Sequence, residues 1–349
     1  MDDFGREHAT VACELVGIAG LLFTRSFWGV RTGSVDRPVL VLRMRRLSYF
    51  TTVLFLAVAV AGGTYAPSAS GQGPERVQSA GGLQLLVAAE NAQPTLRIVL
   101  PGHATSDRSI EVIFPEHITA VKHGSGVAEH LYLFRPGSGG ERPQWRRVGR
   151  SFEYQRDLPG RIRLLARATL EDDGVRFHYE FTNRSAVGYD MIYAVTDPRL
   201  TSIFQDVRLE RTYVHHASGF DLLASETPSR LTAALGQWLP ARYLASFTWP
   251  VPEQRVDRRA DGITYHNKSR AVDQPFIATL SADNTWVVAS FTRETGNVWS
   301  NPELTCQHVD PQTSLAPGQS ATLEMKILVL HSSLEDALKR AIRQRESLK

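Results

Sequence analysis

From residue 82 onward, apolar and polar positions alternate over short runs instead of recurring every three or four residues, which is the period of half-buried strands. Segments 83–90, 95–100, 109–115, 118–123 and 130–135 are each β-compatible and are separated by Pro, Gly, Asn and Ser clusters, the punctuation of a sandwich or barrel. The clearest predicted hairpin joins 161–170 to 175–183 through Glu171-Asp172-Asp173-Gly174, where Asp-Gly supplies the positive φ of a tight turn. In its second arm Val175, Phe177, Tyr179 and Phe181 fall on one face and Arg176, His178, Glu180 and Thr182 on the other, so one face is expected in a core. A second hairpin links 276–281 to 286–292 through Ala282-Asp283-Asn284-Thr285. The last strand, 321–330, follows the turn Leu315-Ala316-Pro317-Gly318. A helix over 332–346 closes the chain, with capping-box spacing of Ser332 and Glu335 and an apolar stripe of Leu334, Ala337, Leu338 and Ile342. The predicted class is all-β and antiparallel, with a short C-terminal helix.

A different pattern occupies 44–71. Arg45 and Arg46 precede an apolar run over 49–61, and Ser68-Ala69-Ser70-Gly71 offers small residues to a signal peptidase, which together make a secretory signal peptide. The run is shorter than the roughly 20 residues a membrane helix needs and ends in Gly62-Gly63 rather than a basic stop-transfer patch. The expectation is a cleaved signal, no stable membrane anchor afterwards, and a secreted or periplasmic product. Residues 1–43, with an apolar stretch over 10–23 broken by Glu14, read as a start assigned too far upstream, since a signal normally stands first. Residues 72–81 read as a flexible linker, 82–349 as one β-domain, and Pro136-Gly137-Ser138-Gly139-Gly140 as a surface excursion within it.

Charge supports a nearly neutral product. The chain is formally +3, the five Arg of 1–43 are balanced by five acids, and removing Arg45 and Arg46 with the signal leaves +1. No electrostatic footprint for nucleic acid is present. Cys13 lies upstream of the signal, so Cys306 stands alone in the mature product and no intrachain disulfide is expected. A domain of about 280 residues then rests on its core, which is long enough to be a large one. Cys306, inside a strand-like segment, reads as a small buried hydrophobe rather than a nucleophile.

The hairpin arm Asp173-Gly174-Val175-Arg176-Phe177-His178-Tyr179-Glu180-Phe181-Thr182-Asn183, together with Thr305-Cys306-Gln307-His308-Val309-Asp310-Pro311 and Leu315-Ala316-Pro317-Gly318-Gln319, resembles the galactose mutarotase-like superfamily. The resemblance covers most of 82–330 in layout and implies a large antiparallel two-sheet supersandwich that binds sugars in a groove across one sheet. Two departures matter. Where aldose epimerases carry a His-Pro-Tyr-Phe segment with the general acid, this chain has Ile192-Tyr193-Ala194-Val195-Thr196-Asp197-Pro198, without a histidine. Where the family's general-base glutamate follows the late Cys by two residues, this chain has His308. Losing both groups argues against standard aldose 1-epimerisation, which needs a proton acceptor and a proton donor, while His308 itself titrates near neutral pH.

The polar constellations give the same centre. On an extended strand Cys306, His308 and Asp310 share one face, with Trp299-Ser300-Asn301-Pro302-Glu303 just upstream. Trp299 is the candidate platform for a pyranose face, and Asn301, Glu303 and His308 are candidate partners for its hydroxyls. A glycosidase would draw two carboxylates from Asp197, Asp206, Glu210, Glu303 and Asp310. A polysaccharide lyase would use Tyr213 or His308 as base with Arg211 or Asn301 on the substrate carboxylate. His215 and Gln307 complete the candidate ligand contacts. No cofactor is expected, and the spacing of His215, His216 and His308 matches no metal motif, although a metal-dependent hydrolase would use such histidines. The leading expectation is an exported carbohydrate-binding protein acting through a groove near Trp299 to Asp310. The competing class is a non-catalytic structural or interaction module on the same fold.

Overall fold

The computed structural model describes residues 75–134 and 141–349. The extension 1–43, the signal 44–71, the start of the linker and the excursion 136–140 lie outside the described residues. Within the described residues the chain forms 22 strands in four sheets. Numbered in chain order, the nine-stranded sheet runs β14 (Gly219–Leu222), β13 (Thr212–His216), β18 (Phe276–Leu280), β19 (Val287–Thr292), β22 (Ser320–Leu330), β10 (Gly174–Asn183), β9 (Ile162–Glu171), β8 (Ser151–Leu158) and β7 (Arg146–Val148). A five-stranded sheet runs β1 (Arg76–Gln78), β2 (Gln84–Val87), β3 (Thr95–Val99), β4 (Ile110–Ile113) and β12 (Asp197–Leu200). One four-stranded sheet runs β21 (Thr313–Leu315), β11 (Tyr189–Ala194), β5 (Ile118–Lys122) and β6 (Ala128–Leu131). The other runs β16 (Val256–Arg258), β17 (Thr264–Asn267), β15 (Ala241–Ser246) and β20 (Asn297–Ser300). Among the described residues, pairing is antiparallel throughout except between β15 and β17.

The all-β class with a C-terminal helix is what the structure has. The hydrogen-bonded strands divide over four sheets, and the five-stranded sheet meets one four-stranded sheet where the chain changes sheet twice at one corner. After β4 it turns through Glu116 and His117 into β5, and after β11 it turns through Val195 and Thr196 into β12. The two turns are tied together, Glu116 N–H donating to the Val195 carbonyl at 2.9 Å and Val195 N–H to the His117 carbonyl at 2.9 Å. Arg76–Gln78, expected within a linker, is an edge strand, since buried Val77 anchors it in the core.

The β9–β10 hairpin forms with Glu171 opposite Gly174, which leaves Asp172 and Asp173 as a two-residue turn. The glycine is required chiefly by close approach. A Cβ at Gly174 would lie 2.0 Å from the Ile327 carbonyl oxygen of β22. Val175, Phe177, Tyr179 and Phe181 are fully buried in the main core, each large side chain contributing about 1.5–3 kcal/mol of transfer free energy. The Thr182-Asn183 end of β10 has a structural role. The Asn183 amide donates to the carbonyls of Val187 at 2.9 Å and Leu315 at 3.2 Å, and Gly318 N–H donates to the Asn183 carbonyl at 3.1 Å.

The opposite face of the nine-stranded sheet is covered by the C-terminal helix Leu334–Arg345, whose Ala337, Leu338 and Ala341 pack on Phe276, Ala289, Phe291 and Leu328. Its cap is Ser333 rather than Ser332: the Ser333 hydroxyl accepts Asp336 N–H at 3.2 Å. The buried stripe therefore ends at Ala341, and Ile342 is 48% exposed. Among the described residues, no helix is long and apolar enough to cross a membrane.

Candidate functional site

The corner where the chain changes sheet is also where the late segment 305–310 crosses. Cys306 makes an isolated bridge to Arg199 of β12, and His308 one to Trp299 of β20. The second bridge is bonded both ways, Trp299 N–H to the His308 carbonyl at 3.1 Å and His308 N–H to the Trp299 carbonyl at 3.0 Å. Opposed residues of such a bridge point to the same side. The alternation along 306–310 then sends Cys306, His308 and Asp310 into a cavity and Gln307 into the core. Asp197 and Arg199 reach the cavity by the same alternation on β12, and Glu116 and His117 reach it from the corner turn.

The cavity has a volume of about 160 Å³, close to the roughly 150 Å³ that holds one six-membered ring. At its centre, His308 lies with Nε2 3.6 Å from Asp197 and Nδ1 3.5 Å from Asp310. These are ion-pair distances but too long for well-formed hydrogen bonds. The imidazole lies parallel to the Trp299 ring, with centroids 3.7 Å apart and 3° between planes. Arg199 anchors Asp197 through Nε at 2.6 Å and reaches Glu116 through Nη2 at 3.4 Å. Asp310 is oriented from behind by Thr196 N–H at 2.9 Å.

Burial and mutual charge drive the titration behaviour. Burial disfavours the His308 imidazolium, but Cys306 and Asp310 beside it more than offset this and hold it well above the usual histidine value. Burial raises Glu116, Asp197 and Asp310 add to the rise, Arg199 and His308 oppose it, and the carboxyl is pushed up to about 7. Asp310 is raised by burial against the pull of His308. His117 is pulled down to about 3 by burial and by the neighbouring His130 and His308, and burial lowers His130 as well. The site therefore has one cationic and two neutral imidazoles at neutral pH. Three buried nitrogens in it, Nδ1 of His117, Nε2 of His130 and Nδ1 of His308, have no hydrogen-bond partner among the described residues.

Of the residues singled out in the sequence, Asp197, Trp299, Asn301, Cys306, His308 and Asp310 line this cavity. Trp299 has one ring face covered by His308, so within this structure it clamps the imidazole. Asn301 holds the approach turn, its side-chain oxygen accepting Glu303 N–H at 3.1 Å and its N–H meeting Cys306 Sγ at 3.2 Å. Glu303 is one layer back, accepting Ala241 N–H at 3.0 Å and pairing with Arg242, which does line the cavity. Gln307 is a buried strut, donating to Thr279 Oγ1 at 2.9 Å and the Val288 carbonyl at 3.0 Å. Arg211, Tyr213 and His215 belong to a different part of the molecule, near β13. Arg211 donates to the Leu280 carbonyl at 2.6 Å, and His215 Nδ1 is paired with Asp273 at 2.7 Å. Of the cavity's other large contributors, Glu116-His117 stands in the sequence only as a weak polar pair, and Arg199 and His130 are not singled out there. Asp197, Cys306 and His308 each place one donor atom within 4.8 Å of the others, a set suited to a zinc-type ion.

No protein-family model and no curated protein sequence matches the chain. Among solved structures, the chain is similar to a galactose mutarotase related enzyme from Lactobacillus acidophilus at 9% identity, covering 75% of this chain and 98% of that one, with a TM-score of 0.41. A putative aldose 1-epimerase from Escherichia coli K12 gives 14% identity over 74% of this chain and 100% of that one, with a TM-score of 0.39. An α-N-acetylgalactosaminidase from Bifidobacterium bifidum gives 10% identity over 77% of this chain and 38% of that one, with a TM-score of 0.41.

Proposed function

We propose that this is an exported carbohydrate-active protein that binds a neutral sugar in the His308 cavity and transfers protons to and from it. The observation that carries the reading is the convergence on one ring-sized cavity of three buried imidazole nitrogens without hydrogen bonds among the described residues. Buried polar atoms without partners are uncommon and point to a missing polar ligand. Carboxylates there accept, guanidiniums donate, and neutral imidazoles do both, so the fitting ligand is one whose groups are donors and acceptors at once. Hydroxyls of a sugar ring meet that requirement, whereas an anion or cation would face groups of both signs. Export rests on the signal pattern of 44–71.

The pair that moves protons is Glu116 and His308. A carboxylate with a pKa of about 7 is poised as a base, and an imidazolium held above its ordinary value is poised as an acid. Either Glu116 takes the proton of the anomeric hydroxyl as the bond from C1 to the ring oxygen breaks and His308 protonates that oxygen, leaving the open-chain aldehyde, or Glu116 takes a proton from a water attacking C1 as the glycosidic bond breaks and His308 protonates the leaving oxygen. Turnover should rise with pH through about 7 as Glu116 ionises, then fall as His308 loses its proton. The test is calorimetric titration of the protein with neutral monosaccharides and their oligomers, followed by product analysis by NMR across pH. Binding with a rising limb that disappears in Glu116→Gln supports the reading. Absence of binding to every sugar sinks it, and binding without turnover leaves a carbohydrate-binding module.

A second reading is favoured by the Asp197–Cys306–His308 donor set: metal-assisted hydrolysis, in which these three side chains would hold an ion that would activate a water for attack. Cobalt titration decides between them. A thiolate charge-transfer band at one equivalent, lost in Cys306→Ser, would replace His308 as the acid. No band at saturating cobalt leaves the proton-transfer pair.

A further inference from the structure

Arg199 lines two cavities. Beyond the one that holds His308, a second of about 270 Å³ is bordered by Asn91, Gln93, Thr95, Glu111, Ile113 and the same guanidinium. The register of the five-stranded sheet explains the adjacency. Thr95, Ile113 and Asp197 lie in one cross-strand row and Arg97, Glu111 and Arg199 in the next but one, on the same face. Residues in such rows share a sheet face, so β3 and β4 carry the second cavity beside the point where β12 delivers Asp197 and Arg199 to the first.

The second cavity is built to bond a polar ligand and carries balanced charge. Glu111 is paired with Arg97 at 2.9 Å, and Arg199 with Asp197 at 2.6 Å. The side-chain nitrogen of Gln93 is buried with no hydrogen-bond partner among the described residues. Asn91 and Thr95 add an amide and a hydroxyl, and buried Ile113 supplies an apolar wall. The Arg199 side chain is 31% exposed, and its bonds to Asp197 and Glu116 use two of the five donors a guanidinium has.

We propose that this second cavity is a subsite for an adjoining sugar unit, so that the ligand is a neutral oligosaccharide whose connecting oxygen lies near Arg199. The inference rests on the sugar reading of the first cavity and adds chain length to it. It also makes the first cavity the place where a terminal unit or its linkage is processed.

Calorimetry on the full protein with glucose, galactose and mannose, and with the β-1,4-linked di- and trisaccharides of each, tests it. In the series that binds, the disaccharide should be at least about tenfold tighter than the monosaccharide. Gln93→Ala should bring that ratio down towards one, and Asn91→Trp, which fills the cavity by bulk, should do the same. A thermal midpoint within a few degrees of wild type ensures that either variant is read as folded. A monosaccharide that binds with no gain on extension overturns the subsite and leaves the first-cavity reading intact. A gain on extension that both variants leave untouched also overturns it, placing the second unit elsewhere. No binding in any series overturns both.

Discussion

Two buried cations, Lys326 and His308, each face two carboxylates, and they are built in opposite ways. The Lys326 side chain is wholly inaccessible, and its ammonium donates to Glu171, to Asp173 and, at 2.6 Å, to Gln344. Asp173 is further held by Arg340 at 3.2 Å and by the Gln344 amide at 2.7 Å. Burial alone would raise both carboxylates, but the bonds to Lys326 more than offset it and hold them below their usual values. His308 is equally buried, yet its carboxylates stand 3.5 and 3.6 Å away, Asp310 is raised rather than lowered, and Nδ1 has no hydrogen bond among the described residues. The closed network fastens the β9–β10 hairpin and β22 to the C-terminal helix. The slack one borders a cavity. A satisfied buried network adds rigidity, whereas an unsatisfied one is costly unless a ligand completes it.

Lys326→Met should have the largest effect on stability. It removes the charge that Glu171 and Asp173 share, while Arg176 stays on Glu171 and Arg340 and Gln344 on Asp173, so urea unfolding should show a loss of about 3 kcal/mol. Sugar affinity in the folded fraction should be unchanged. His308→Gln should invert the pattern, with stability falling by about 1–2 kcal/mol and turnover by about 100-fold. Asp197 and Asp310 keep Arg199 and the Thr196 N–H as partners in that variant. If His308→Gln were the more destabilising and left turnover intact, the cavity would be a second structural clamp.

The two sites should also respond to pH with opposite sign. Glu171 and Asp173 have depressed values, so their contribution is present above the ordinary 4.5 and 3.8 and is lost as pH falls through the folded values. His308 has a raised value, so its contribution is complete below 6.5 and is lost as pH rises through the folded value. Glu116 adds to the second trend, since between 4.5 and about 7 the folded state holds a proton that the unfolded state has released. Urea midpoints measured from acid to alkaline pH should fall at both ends. Lys326→Met should make the acid limb shallower, leaving the part that His117 contributes as it protonates between 6.5 and about 3, and His308→Gln should flatten the alkaline limb. A single flat profile in both variants would erase the distinction between the sites.

The alternation of residues made much of this legible. It gives the hairpin with its buried Val175, Phe177, Tyr179 and Phe181, and the common face of Cys306, His308 and Asp310. What alternation does not carry is which distant segments meet. Glu116 and Asp197 are brought together by two separate changes of sheet, visible only once the Glu116 and Val195 backbones are seen to bond. Lys326 gives no sign of burial in a strand otherwise read by its apolar positions, because its partners come from the hairpin turn and the helix. Arg211, Tyr213 and His215 carry suitable chemistry but sit on and just before β13, where backbone carbonyls and Asp273 take up Arg211 and His215. The sequence did hold one usable signal for Arg199: standing two residues after Asp197 on a strand, it must share the face of that carboxylate.

The smallest effect tests what Trp299 does. An indole face over an imidazolium is attracted to its charge, an interaction of about 1–2 kcal/mol when desolvated. The parallel rings 3.7 Å apart place Trp299 in that relation to His308 and turn that face away from any sugar. Trp299→Leu should therefore act through His308. Losing the stabilisation of the cation lowers the pH at which the alkaline limb of turnover begins, by roughly one unit. Sugar affinity measured well below that limb, where His308 is protonated in both proteins, should change less than about threefold. The opposite result, a fall in affinity at every pH with the alkaline limb unmoved, would make Trp299 a ligand platform instead. It would then also require the indole edge or its second face to reach the sugar past Ile263 and Tyr265, the residues that adjoin it on the cavity wall.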